Sequence, residues 1–185
     1  MLRTMRVVRR FADRAIPEDI LLEVLEVGRW TGSSKNSQPW EVVVVREREL
    51  LRRLAALGPF AGHLAGAQVG LVPVMEGGGN AFDCGRLVER LMLAAWAHGV
   101  GSCIASLYPD DNARSAKELL GIPAERWIRP TVSLGYPADP SARRVSGTRM
   151  ASALPSIGRK PMDDFVSWER YGQRSAARPT SEARP

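Results

Sequence analysis

The sequence predicts an α+β domain, a mixed sheet covered by helices. Three observations carry this. Segments with helical spacing and short β-branched runs are both present. Two of the helical segments come before the second strand, and connection lengths vary, so a regular βαβ alternation fits poorly. One segment, residues 83–98, is apolar around much of its circumference, and such a helix belongs at a domain centre or a subunit interface.

Taken in order, Pro17 marks a first helix, and Glu18 and Asp19 favour its positive end. Ile20, Leu21, Val24, Leu25 and Val27 give it an apolar stripe. The loop Thr31–Trp40 leads into Glu41–Arg46, which reads as a buried strand. Glu47–Leu57 reads as a second helix, closed by Gly58–Pro59. Val69–Met75 reads as a second strand, and its Pro73 predicts an edge or a strand end. Glu76–Asn80 is a break with no Lys-Ser/Thr after it, so it is not a P-loop. Asp83 is expected to cap the long helix, with Gly101 serving the turn that follows it. Ser102–Leu107 is a strand, Asn112–Leu120 a helix ended by Gly121, and Thr131–Tyr136 the last strand. Ala138–Gly158 reads as an extended arm, and Met162–Tyr171 as a further short helix. Residues 1–172 are expected to form one domain and 173–185 a disordered polar tail.

The 185 residues carry a net charge of +6, nearly all of it from arginine, since only Lys35, Lys117 and Lys160 are lysines. Apart from Arg3, Arg6, Arg9, Arg10 and Arg14 the arginines are scattered, and no nucleic-acid-binding motif is visible. No apolar run is long enough to span a bilayer, and the basic N-terminus lacks a secretory core. Two cysteines and two histidines are too few for a disulfide scaffold or a zinc cluster, and a cytoplasmic, reduced protein is expected.

No catalytic constellation emerges. Cys84 and Cys103 lack an evident histidine partner, and His98 ends a helix. Ser33 and Ser34 are not in a nucleophile elbow. Asp110–Asp111 and Asp163–Asp164 sit at helix starts, where acids are expected. Polar binding groups without an acid, base or nucleophile fit a protein whose cofactor carries the reaction. Arg6 and Arg9, separated by Val7 and Val8, read as an anchored basic segment suited to a phosphate monoester, and Arg159–Lys160 is a second basic pair.

Five stretches in order resemble the FMN-dependent nitroreductase family. They are MRVVRRF (5–11), GSSKNSQPW (32–40), Asp83 with Leu93–Ala95, Gly99–Ser102 with its following strand, and Leu134–Pro137 with the late Arg159–Met162. The resemblance implies a central mixed or antiparallel sheet of four or five strands flanked by helices. It also implies a homodimer exchanging C-terminal arms, with a flavin between subunits. Carried over by position, it implies that Arg6, Val7 and Arg9, Ser33 and Asn36, the strand end Ala105, Ser106 and Leu107, and Arg159 bind FMN, with Gln38 shaping its loop. Met5 and Val7 stand where the family commonly has arginine and serine. Each missing group, at about 1–2 kcal/mol, would weaken FMN tenfold or more.

The expected activity is then an FMN-dependent oxidoreductase passing hydride from NADH or NADPH through the flavin to a nitroaromatic or quinone. The alternatives are a flavin-dependent oxidase, dehydrogenase or cofactor-biosynthesis enzyme on the same fold, and a weaker one is a basic nucleic-acid-binding module.

Overall fold

The computed structural model describes residues 4–77, 81–139 and 161–174. The expected arm beyond residue 139, Arg159, Lys160 and the tail beyond residue 174 lie outside them, as does Arg3. The chain divides into two compact units, residues 1–144 and 145–185. In the second, Met162–Phe165 forms a single helical turn, shorter than the helix expected to reach Tyr171.

The first unit holds α1 (Glu18–Arg29), β1 (Trp40–Val45), α2 (Arg48–Ala55), β2 (Val69–Met75), α3 (Ala81–Ala97), β3 (Gly101–Ser106), α4 (Asp110–Leu120) and β4 (Pro130–Gly135). The four strands form one antiparallel sheet in the order β1-β2-β4-β3. Among the described residues the only parallel pairing is that of the N-terminal segment, where Val7 bridges Ser102 on the outer edge of β3.

β2 shows why the sheet has helices on both faces. Successive side chains of a strand point to opposite faces. Val69, Leu71 and Met75 join one apolar cluster with Leu21 and Val24 of α1 and Leu87 and Leu91 of α3. Val72 and Val74 join another with Leu51 and Leu54 of α2 and Ala116 of α4. Every residue of β2 is buried.

Pro73 therefore lies in an inner strand, not at the edge expected of it. The sheet accommodates it locally. Met75 donates to the Trp127 carbonyl (2.8 Å) and accepts from the Trp127 N–H (3.1 Å). Strand N–H groups alternate in direction, so Pro73 turns its missing donor to the same side, between that bridge and the last β2–β4 pair at Leu71. β1 is instead an edge strand, and only Val45 of it is buried, which corrects the expectation of a buried strand.

Two further expectations change. α3 begins at Ala81, so Asp83 lies inside its first turn, buried and 3.7 Å from Arg86, and is not the cap. The positive-φ glycine after α3 is Gly99 (φ 82°), while Gly101 is already the first residue of β3. A Cβ on Gly101 would sit 2.6 Å from Val8 Cγ2, and one on Gly135 2.7 Å from Phe11 Cδ1. The N-terminal segment thus lies directly on the sheet. It is fixed there by Val8 N–H to Ser102 O (2.9 Å), Ala12 N–H to Tyr136 O (2.8 Å) and Ala138 N–H to Arg10 O (3.0 Å).

Candidate functional site

Anchored in this way, the N-terminal segment brings Arg9 to the outer edge of β3. A cavity of about 540 Å³ opens there, lined by Arg9, Phe60, Gly62, His63 and Ile104. Phe60 and Ile104 are exposed apolar side chains. Among the described residues no carboxylate pairs with Arg9, so its charge is available to an anion. Cavities of this size hold small ligands, with apolar walls taking a ring and a few polar groups fixing it.

Chain geometry holds the opposite wall in place. After α2 the chain turns through Gly58–Pro59–Phe60 into a 3-10 turn at Gly62–Gly66. A Cβ on Gly58 would lie 2.4 Å from the Ser106 carbonyl oxygen, so only glycine lets this turn close on the end of β3. Leu64 and Ala61 are fully buried beneath it.

His63 is the residue that sequence reasoning missed. Its Nδ1 lies 2.8 Å from Ser133 Oγ, and that hydroxyl donates to the Cys103 carbonyl at 3.2 Å. His63 Nε2 is buried without a well-formed hydrogen bond among the described residues. Burial holds the imidazole below its usual pKa; the nearby carbonyls of Ile104 and Phe60 oppose this, and the positive charge of Arg9 adds to it. A lone histidine between glycine and leucine gave no signal, because its partners Ser133 and Arg9 are distant in sequence.

The other expected site residues are distributed unevenly. Arg9 lines the cavity; Arg6 does not, and its Nη1 donates to the Met5 carbonyl (2.8 Å). Val7 is exposed on the same segment. Ala105 and Leu107 are fully buried, so neither is open to a ligand, while Ser106 is half-buried.

Ser33 and Asn36 lie in a self-contained loop. Ser33 Oγ accepts from the Gln38 N–H (2.8 Å), and Asn36 Oδ1 accepts from Gln38 Nε2 (3.2 Å). Gln38 thus holds the loop's shape. Lys35, Asn36 and Gln38 all have positive φ (51°, 54° and 46°), a conformation that costs non-glycine residues energy and that the internal bonds help to maintain. Arg90 of α3 donates to the Trp30 carbonyl (2.7 Å), and Gly32 lies against the Arg86 guanidinium. The N-terminal segment meets α3 at its last turn, where Trp96 Nε1 donates to Thr4 Oγ1 (3.3 Å). At 1.5 Å per residue these attachments lie about 9–15 Å apart along the helix. Neither Ser33 nor Asn36 lines the Arg9 cavity.

Several of the side chains considered as catalysts are buried or ion-paired. Burial pushes the Cys84 thiol up to about 11. Cys103 is also raised by burial, against the opposing charge of Arg9. His98 pairs with Glu23 at 2.8 Å, Asp110 with Arg129 at 2.7 Å and Asp111 with Arg114 at 2.6 Å. Among the described residues no group of three acidic, histidine or cysteine side chains could hold a metal, and no helix is long and apolar enough to cross a membrane.

A protein of Archaeoglobus fulgidus with the provisional name NADH dehydrogenase/NAD(P)H nitroreductase is 32% identical over 147 residues, covering 75% of this chain and 84% of its own. An FMN-dependent nitroreductase from Clostridium difficile superposes with a TM-score of 0.70 at 23% identity, over 75% of this chain and 86% of that one. A provisionally named nitroreductase from Desulfovibrio desulfuricans, solved in complex with FMN, superposes with a TM-score of 0.73 at 22% identity, over 92% and 95%. The model of the nitroreductase family matches residues 2–61 and 76–136, which include the N-terminal arginines, the 33–38 loop and the end of β3. The chain belongs to the nitroreductase family.

Proposed function

We propose that this protein is a homodimeric, FMN-dependent oxidoreductase that takes hydride from NADH or NADPH and delivers it to an oxidised acceptor such as a nitroaromatic or quinone. The observation that carries this is the Arg9 cavity: a guanidinium without a carboxylate partner among the described residues, at an outer sheet edge with apolar walls. The family relatives named for FMN and NAD(P)H support the same reading.

The residues present fit a flavin mononucleotide. Arg9 would hold its anionic phosphate or ring edge by charge-assisted hydrogen bonds. Phe60 and Ile104 would cover apolar ring surface, and the backbone at Ser106 would meet the ring's polar edge. The bound flavin supplies the hydride-accepting centre. The chain's part is to orient that ring, to place positive charge where negative charge develops on reduction, and to leave one ring face open for the two substrates in turn.

The absence of Ser33 and Asn36 from the Arg9 cavity supports the dimer reading. A second copy would bring its Ser33 and Asn36 to the first copy's Arg9, and exposed Leu22, Val27, Trp30 and Phe82 on α1, its following loop and α3 offer an apolar surface for it.

The test is the visible spectrum of the purified protein. A flavin absorbance that bleaches under NADH or NADPH and returns on adding a quinone or nitroaromatic is expected. A protein that stays colourless after incubation with FMN overturns the proposal.

A further inference from the structure

We propose that His63 is the proton partner of the ring in the Arg9 cavity: when that ring is reduced and becomes negatively charged, His63 Nε2 takes up one proton from solvent. His63 has this role only where the cavity holds a flavin, so the proposal rests on that reading of the site.

Hydrogen-bond geometry leaves one imidazole nitrogen to receive that proton. A hydroxyl has a single proton, and that of Ser133 goes to the Cys103 carbonyl (3.2 Å). Ser133 Oγ therefore accepts from His63 Nδ1–H (2.8 Å), and the neutral imidazole keeps its lone pair on Nε2. That atom is buried with no hydrogen-bond partner among the described residues. The carbonyls of Ile104 and Phe60 lie against the imidazole and can only accept. A lone pair facing carbonyl oxygens stays unsatisfied, whereas an Nε2–H has acceptors ready. The surroundings thus suit the protonated imidazole and lack only a negative charge to balance it. The family match stops at residue 61 and resumes at residue 76, so His63 lies outside the matched stretches.

The charges around the imidazole decide when the proton arrives. Arg9 of the N-terminal segment and the Cys103 thiol of β3 are the titratable groups facing it; β4 presents the Ser133 hydroxyl. On the other side of the turn, α2 buries Leu51 and Leu54, and its Arg48 is engaged by the Ala67 carbonyl, Asp13 and Gln68. With no negative charge in the cavity, burial and Arg9 both favour the neutral imidazole. An isoalloxazine carries its hydrogen-bond acceptors on the pyrimidine half, and the far end of the other half bears only methyl groups. Arg9, a donor only, can therefore bond the pyrimidine half alone. His63 lines the same cavity and lies toward that half too, where negative charge gathers on reduction. Hydride from the nicotinamide brings two electrons and one proton, so the nicotinamide is oxidised and the ring ends with one negative charge. That charge offsets Arg9 and draws a solvent proton to Nε2, so ring and imidazolium together gain no net charge. Linkage makes this reciprocal: whatever factor reduction adds to proton affinity, the proton adds to the ring's electron affinity.

The chain has two histidines, His63 and His98, so the imidazole signals of untagged protein are assigned by one His98→Gln variant. The experiment titrates them by NMR between about pH 5 and 8.5 in the FMN-loaded protein, first oxidised and then reduced with dithionite without oxygen. The midpoint potential of bound FMN is measured over the same range in wild type and His63→Gln, and the ring's own ionisation, common to both, cancels in the difference. The expected result is a His63 midpoint about one pH unit higher in the reduced than in the oxidised protein, with His98 unmoved. Across that window wild type should take up one more proton per electron pair than His63→Gln. Its advantage in ease of reduction should fall by up to about tenfold, or about 30 mV for a two-electron couple, as pH rises. A His63 midpoint that is the same in both redox states, which the NMR reads without any His63 variant, overturns this inference and leaves the flavin reading standing. An equal proton count in wild type and His63→Gln does the same. Absence of FMN binding to wild type overturns both.

Discussion

Gly101 and Gly135 face each other across β3 and β4, and each lies under a side chain of the N-terminal segment, Val8 on the one and Phe11 on the other. The paired absence of Cβ atoms makes a shallow seat in the sheet. The seat sets where Arg9 projects. Gly101→Ala or Gly135→Ala would put a methyl carbon within 2.7 Å of that segment, in a place where both partners are held by backbone hydrogen bonds. Each is expected to cost about 1–3 kcal/mol of stability, the usual cost of overpacking, and to weaken FMN binding by freeing Arg9. Thermal unfolding and protease sensitivity near the N-terminus would measure the two effects. Unchanged melting in both variants would show that the segment does not rest on these glycines.

Arg9→Ala should release flavin. A charge-assisted hydrogen bond contributes about 1.5–3 kcal/mol, so FMN affinity should drop by roughly 10- to 100-fold. Arg6→Ala, which removes a side chain turned to the Met5 carbonyl and absent from the cavity lining, should cost less. Flavin fluorescence titration compares them directly, and equal losses would contradict the placement of the two arginines.

Subunit mixing tests the shared site. Arg9→Ala and Asn36→Ala homodimers should both bind FMN weakly. A heterodimer of the two should recover one intact site of its two, because both lesions then fall in the same composite site. Recovery of no site would mean that the two residues do not meet across the subunits.

The 33–38 loop makes two opposite predictions for stability. Ser33→Ala removes the acceptor for the Gln38 N–H and should cost about 1 kcal/mol. Lys35→Gly relieves a residue held at φ 51° and should be stabilising or neutral, within about 1 kcal/mol. Denaturant unfolding midpoints distinguish these. If Lys35→Gly destabilises strongly, the lysine side chain has a partner in the assembled protein.

Cys84 gives a pH dependence with a definite sign. Its thiol stays protonated in the folded protein up to about pH 11, whereas in the unfolded chain it ionises from about pH 9. The stability it contributes is complete below pH 9 and is lost as pH rises toward 11, by about 2–3 kcal/mol. Unfolding free energy measured from pH 8 to 11 should fall less steeply in Cys84→Ala. At pH 8 a thiol reagent should leave both buried cysteines unmodified until the protein unfolds.

Much of the scaffold was legible residue by residue. Helical spacing located α1, and short apolar runs bounded by glycine, proline and polar residues located all four strands, because burial selects apolar side chains locally. Gly121, at φ 67°, ends α4 as expected of it. The polar loop 33–38 was legible as a unit closed by Gln38, since all its hydrogen bonds span five residues or fewer. The strand order was not. Whether Pro73 sits at an edge depends on which strands flank β2 and where β4 stops, and those pairings join residues about 60 apart. The same distance concealed His63, whose anchor Ser133 lies 70 residues away.

The sequence by itself determined the kind of protein this is: an α+β chain of the nitroreductase family. Local spacing and ordered motifs are properties of the chain and survive without its fold. Only the tertiary structure decided which groups can act together. It put Arg9 and not Arg6 at the cavity and set His63 beside Arg9. It also held Ser33 and Asn36 elsewhere along α3. These outcomes depend on long-range antiparallel pairing and on two glycines that let the N-terminal segment lie against the sheet, and no local pattern encodes them.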